Sequence, residues 1–521
     1  MNRLPNVRAR RPFLLLASLV LASLVWAQGV GSAAADVNAH AALVRSDPAV
    51  NARLADSPTA VTAFYSEALD SQLSSMQVFG GDSKRVDTGE TTFGPDPNQM
   101  SIGVDKLDPG FYAVQWQTLS NLDGHILKGS FPFTILNPDG TDPTGPRPSA
   151  DSGTGFSLTS VKPLDVITKW INLLGAVLLV GGLGFALAVA GPASRSLSSP
   201  LKDESLARRR RHLAWAVWPG LALLAVTALA ELLLQADKLG GLGSIGDAIS
   251  TGWGDHWLQR QALLAAMVVA FAVYQLRPRT DAINEALLCA TFVGGGLFLL
   301  AVAMVSHGAS INGSFWAVAV DFCHLLASAV WVGMLVQLGL FLFWVRPKPA
   351  AERDELILGH LRRFSPFAAT SVAVLLASGS LSALSQLPSL SAIFDTVYGN
   401  VLLAKLGLMS ILLLVAAVNA FYLRPRLTSD ASVHEQQSVA RERTLLWRMV
   451  RIELALAIGV LLVAAALVQY PTARQQEAAE ANIATANEAA GFDAIQTAGD
   501  IDVQLSITPN QVGTNSFLIY L

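Results

Sequence analysis

The sequence predicts a multi-domain chain, an extracytoplasmic Ig-like β-sandwich followed by an all-α polytopic membrane bundle of about eight transmembrane helices. Three observations lead there. Of 521 residues, 52% are hydrophobic and only 14% charged, where a soluble globular protein carries roughly a quarter charged residues. Residues 40–136 read as short β-prone runs separated by turn signals. From about residue 164 onward the apolar runs reach the ~20 residues that cross a bilayer.

The N-terminus reads as an export signal. Arg3, Arg8, Arg10 and Arg11 precede an apolar stretch from Phe13 to Ala27 that is too short to span comfortably. Small residues follow, and cleavage after Ala35 or after Ala39 satisfies a small-x-small rule, so residues 1–39 are expected to be a signal peptide. In 40–136, Gly80-Gly81-Asp82 and Asp108-Pro109-Gly110 supply turns, and Phe111 to Trp116 alternates as a half-buried strand should. Residues 137–163, rich in Pro, Gly, Ser, Thr and Asp, form a flexible linker.

Eight apolar runs are placed near 165–190, 212–236, 257–276, 285–308, 316–345, 364–384, 401–423 and 448–470. Connections after the odd-numbered runs are rich in Arg and Lys (Arg208 to Arg211, Arg277, Arg346, Arg362, Arg363, Arg424 among them). Those after the even-numbered runs hold only Lys238. The positive-inside rule puts the odd connections in the cytoplasm and leaves the β-domain outside, as the export signal independently requires. The expected location is therefore the plasma (inner) membrane. The bundle is assigned to 164–471. Residues 472–521 are an extracytoplasmic spacer and the start of an incomplete β-domain, with strands at Asp502–Ile507 and Ser516–Leu521.

Candidate chemistry gathers in two places. In the β-domain, Asp123-Gly124-His125 puts a carboxylate and an imidazole two residues apart, pointing the same way in extended backbone. They offer two legs of a copper(II) or zinc site. His40 is the domain's other histidine, and as a mature N-terminus it would add an α-amine to its imidazole. In the membrane region, ionisable groups are costly and functional by default. His307 ends the fourth run, while Asp321 and His324 open the fifth three residues apart on one helical face. His256 beside Trp253 and Trp257 reads as an interfacial belt residue. Glu231 and Glu453 are expected to snorkel or pair with arginine, Lys405 to reach the interface, and Asn172 and Asn419 to hydrogen-bond between helices. The two cysteines, Cys289 and Cys323, form no CxxC motif.

His40 to Ala49, Phe64-Tyr65-Ser66-Glu67, Gly110 to Trp116, and Asp123-Gly124-His125 followed by Gly129 to Phe133 resemble the periplasmic copper-binding CopC family. That resemblance implies copper(II) ligation by His40, Asp123 and His125. The methionine-based copper(I) site of the family is missing here. Ser306-His307-Gly308-Ala309, Asp321 to Gly333, Arg363-Phe364-Ser365, Tyr398-Gly399, Leu403-Ala404-Lys405 and Glu453 to Leu456 resemble CopD, its inner-membrane partner. Together they imply a CopC–CopD fusion engaged in copper homeostasis. The first domain captures Cu(II), and a membrane site of His307, Asp321 and His324 receives it for uptake.

The expected cofactor is the copper ion, and the expected partners are the bilayer and other copper-homeostasis proteins, without nucleic acid. No catalytic constellation is present, so the chain is not read as an enzyme. Two rivals stand beside this reading. One is sequestration or resistance without transport. The other is a haem-binding membrane oxidoreductase with His307 and His324 as axial ligands. The latter wants a second histidine pair near the cytoplasm, where His212, His360 and His434 are assigned to loops or loop edges.

Overall fold

A computed structural model describes residues 41, 43–120, 126–146, 148, 162–277, 282–305, 315–423, 436–470, 472–474, 477, 492–498, 501–508 and 516–520, with backbone alone for 199–200, 436–443 and 492–520. The expected signal peptide, linker residues 149–161, and the candidate ligands His40, Asp123, His125 and His307 lie outside the described residues.

Eight strands build the first domain: β1 (Leu43–Asp47), β2 (Arg53–Leu54), β3 (Ala60–Tyr65), β4 (Ser75–Gly80), β5 (Asp87–Phe93), β6 (Gln99–Val104), β7 (Gly110–Leu119) and β8 (Ile126–Ile135). They form two four-stranded sheets, β1-β3-β6-β5 and β2-β8-β7-β4. Strands β3, β4 and β6 bury every second side chain, the period-2 signature of a sheet with one face in a core. Val61, Ala63, Met76, Val78, Met100, Ile102, Val114, Phe131 and Phe133 fill the space between the sheets. On the β7–β8 hairpin Trp116 lies opposite Gly129. A Cβ at Gly129 would sit 2.4 Å from the Trp116 ring, so the indole packs flat across a position that only glycine leaves open.

Asp87 ties β5 to β4. Its carboxylate is fully buried and accepts the Val78 N–H at 2.8 Å, the Gly89 N–H at 2.9 Å and the Arg85 Nε–H at 2.8 Å. Burial alone would raise its pKa, but the Arg85 bond and the two amide bonds outweigh that and hold it below the usual carboxylate range. A depressed folded pKa stabilises the domain above the unfolded value of about 3.9, and that gain disappears as pH falls through the folded value. Asp87→Asn is expected to cost about 1–3 kcal/mol at neutral pH, measured by urea unfolding of residues 40–146. The gap from wild type should narrow as pH falls below the unfolded value and Asp87 takes up its proton.

Among the described residues, eight helices are long and apolar enough to cross a membrane: α1 (Pro163–Ser194), α2 (Leu201–Lys238), α3 (Gly252–Leu276), α4 (Ala282–Ala303), α5 (Phe315–Val345), α6 (Ala350–Gln386), α7 (Val397–Leu423) and α8 (Thr444–Leu467). The chain is a multi-pass membrane protein. Helices α2 and α6 begin well before the apolar runs expected at 212 and 364. Arginine-rich segments are good helix formers, and apolarity reports only the part of a helix inside hydrocarbon.

Helix α1 is irregular at two points, with π-helical turns at Val177–Gly181 and Phe185–Ala190. It lies in the bundle interior, where Leu179, Val180 and Leu183 are almost wholly buried. Polar groups in the spans pair across helices. Asn172 Nδ2 donates to Thr227 Oγ1 at 3.1 Å and Asn419 Nδ2 to Glu453 Oε1 at 2.6 Å. Arg260 meets Glu231 at 3.1 Å, so that glutamate pairs with arginine rather than snorkelling.

Beyond the bundle, β9 (Phe492–Ala498), β10 (Ile501–Thr508) and β11 (Ser516–Tyr520) make an antiparallel sheet in the order β11-β10-β9. The sequence reading had the latter two strands and missed β9.

Candidate metal centres

The β7–β8 hairpin runs in unbroken register from Gly110↔Ile135 to Leu119↔Ile126. Ten paired residues on each strand end at Leu119 and Ile126, the two ends between which Asp123 and His125 fall in the sequence. Two buried side chains brace this hairpin. Ser120 Oγ donates to Glu67 Oε2 at 2.6 Å, and Thr118 Oγ1 donates to the carbonyl of Ala41 at 2.9 Å. Ala41 is wholly buried. The chain immediately after His40 is therefore fastened to β7 one residue short of its end. Sequence reasoning missed Thr118, whose only signal was its place near the end of an alternating strand.

The second centre lies where α5 and α6 run side by side in opposite directions. Asp321 Oδ1 accepts from Ser382 Oγ at 3.1 Å, and His324 Nδ1 lies 3.0 Å from Ser378 Oγ. A spacing of three on α5 meets a spacing of four on α6, as expected for two antiparallel helices whose facing stripes recur every three or four residues. The hydroxyl proton of Ser378 is committed to the Val374 carbonyl at 2.6 Å. With its proton so placed, the Ser378 oxygen is free to accept from a protonated Nδ1 of His324. In that tautomer Nε2 carries the lone pair, through which a neutral imidazole can bind metal. The close fit on that side is set by Gly379, where a Cβ would lie 3.2 Å from His324 Cε1.

Around this pair stand Tyr398, whose hydroxyl donates to Gln386 Oε1, and Lys405. Both feel the charge of Asp321, and His324 feels that of Lys405. Lys405 is thus part of the Asp321 surroundings. Cys323 is exposed, because one residue along a helix turns a side chain about 100° from its neighbour. It does not join His324. Among the described residues no three His, Cys, Asp or Glu side chains converge on one point. The structure brings Asp321 and His324 to one face of α5, while His307 lies outside the described residues.

His256 sits among stacked Trp253 and Trp257, the latter donating to the Ala228 carbonyl at 3.0 Å, in keeping with an aromatic belt. His212 and His360 are not loop residues. They lie inside α2 and α6, since both helices extend past the apolar stretch that marked their expected ends.

Comparison with known proteins matches two families in sequence order. Residues 43–136 match the CopC domain and residues 358–467 match CopD, copper resistance protein D. Copper resistance protein D of Pseudomonas syringae pv. tomato is 30% identical over 266 residues, 47% of this chain and 82% of that one. The chain is a CopC–CopD fusion. The copper transport protein CutJ of Bacillus subtilis (strain 168) aligns with this fusion at 27% identity over 493 residues, covering 92% of this chain and 81% of that one. Protein YobA of Escherichia coli (strain K12) matches at 32% over 99 residues, 19% of this chain and 79% of its own length.

Proposed function

We propose that this CopC–CopD fusion captures Cu(II) outside the inner membrane through His40, Asp123 and His125 and delivers it to a membrane-level site for uptake into the cell. That second site is built on His324 and Asp321, with His307 as the third ligand. The observation that carries the proposal is the Ser378–His324 bond, which orients an imidazole inside a CopD bundle and suits the tautomer whose Nε2 lone pair is free for a metal. The Thr118–Ala41 bond supports the first site, because it draws the N-terminal segment towards the hairpin end that carries the other two ligands.

Lys405 is the resting partner of the Asp321 charge, and an arriving cation takes its place. No GxxxxGK[ST] motif is present in the sequence. The membrane potential, worth about 2.3 kcal/mol per charge per 100 mV, supplies the inward drive for a cation.

N-terminal sequencing of the full chain purified in detergent, with a Cu(II) titration of the same sample, tests the capture step. A mature chain beginning at His40 that binds one tight Cu(II) is expected. In His125→Ala the affinity should fall by more than about 100-fold. A chain beginning at Asp36 with weak binding, unaffected by His125→Ala, would refute Cu(II) capture by this domain.

A further inference from the structure

At the arginine-rich end of the bundle a cavity opens between α1, α2, α5 and α6. Arg208, Arg209 and His212 of α2, Gln337 of α5, His360 of α6 and Gly182 of α1 line it. None of the residues lining it is an aspartate or glutamate. The neighbouring carboxylates are engaged outside it, Glu204 with Arg208 at 3.2 Å and Lys348 at 2.6 Å, and Glu285 with Arg209 at 2.9 Å.

Two donors at this cavity have no hydrogen-bond partner among the described residues. The amide nitrogen of Gln337 is buried without a partner, and the whole residue is only 5% exposed. It points at Gly182, where a Cβ would lie 3.3 Å from Nε2. The glycine therefore keeps open the space in front of the amide. The second orphan is Arg209 Nε, on a side chain 8% exposed. A buried donor left unmet is costly, because it loses its water without gaining a partner. Two of them at one cavity, with a second guanidinium at the mouth and no carboxylate among the lining groups, mark a place that an acceptor fills.

We propose that this cavity binds a phosphoryl oxyanion, held by Gln337 Nε2, Arg209 Nε and the Arg208 guanidinium. The fork geometry of guanidinium suits phosphate oxygens. Arg208 and Arg209 lie just before the apolar part of α2, the depth at which lipid phosphates sit, and Arg208 rests over the Trp344 ring at 5.2 Å. A metal cation is the poorer occupant, because it would meet two guanidiniums and no anionic ligand. His360 stacks on Phe341 with ring centroids 3.9 Å apart and spends Nδ1 on the Leu356 carbonyl at 2.8 Å, so it serves as a rigid wall.

The test is thermal unfolding of the full chain. It is purified in detergent and titrated with inorganic phosphate against sodium chloride of equal ionic strength. In parallel it is placed in phosphatidylcholine nanodiscs with and without phosphatidylglycerol. A saturable rise in Tm is expected. A rise with inorganic phosphate identifies a free anion, and a rise with phosphatidylglycerol alone identifies a lipid headgroup. Gln337→Leu, which removes the amide donor outright, and Arg208→Gln, at the half-exposed mouth, should each raise the half-saturating concentration about tenfold or more. No saturable rise from either source would overturn the proposal, as would equal rises in wild type and both variants. So would stabilisation by a copper salt that is lost in His360→Ala.

Discussion

Gly333→Leu is expected to leave no correctly folded membrane domain. Helices α1 and α5 touch backbone to backbone at this point. A Cβ at Gly333 would lie 2.1 Å from the Val177 carbonyl and 2.6 Å from the Gly181 Cα, and one at Gly181 would lie 2.3 Å from the Gly333 Cα. These neighbours are main-chain atoms of a π-helical turn and cannot swing aside as a side-chain tip can. Small residues at membrane helix interfaces allow such approach, and packing is the force that holds helices together in lipid. Overpacking a core ordinarily costs about 1–3 kcal/mol. Here the helices themselves must separate, so the loss should exceed that range. Gly407→Leu is the control, because nothing lies within 4 Å of its Cβ position. Gel filtration of both variants in mild detergent should show a monodisperse peak for the α7 substitution and aggregate or degraded chain for Gly333→Leu.

His324→Ala and Asp321→Ala are each expected to abolish copper accumulation driven by this protein. Alanine at 324 removes the proposed Nε2 ligand, and alanine at 321 removes the carboxylate that attracts a cation while leaving Lys405 near the site. Ser378→Ala separates ligation from simple packing. It leaves the imidazole in place but takes away the oxygen that fixes its tautomer, and loss of such an outer partner typically lowers metal affinity about 10–100-fold. An interhelical clasp with no metal role would instead show lost stability in all three variants and unaltered accumulation per folded chain.

The two-part architecture was legible because both solvents write clear patterns. Period-2 burial in Val61, Ala63 and Tyr65 or in Met100, Ile102 and Val104 needs only one wet and one dry face. The long runs need only lipid. Helix ends were less legible, since α2 and α6 carry their arginines on continuous helix and hydropathy does not register a helix leaving the membrane. That same blindness put His212 and His360 at loop edges instead of inside helices. Asp321 and His324 were found because charge in a span is rare and their spacing defines a face. Ser378 and Ser382 escaped notice because serine is ordinary in a membrane helix, and only the pairing of α5 with α6 gives them a role. The π-turns of α1 and the orphan amide of Gln337 belong to packing, which no local pattern encodes.

Cellular copper content, measured by mass spectrometry at matched membrane abundance, tests the transport claim most directly. Cells carrying the wild-type chain, His324→Ala, Asp321→Ala or an empty vector would be exposed to the same copper salt. The account predicts several-fold accumulation with the wild type and vector-level copper with both variants. Accumulation unchanged in the variants would contradict it and leave sequestration by the β-sandwich as the function of the fusion.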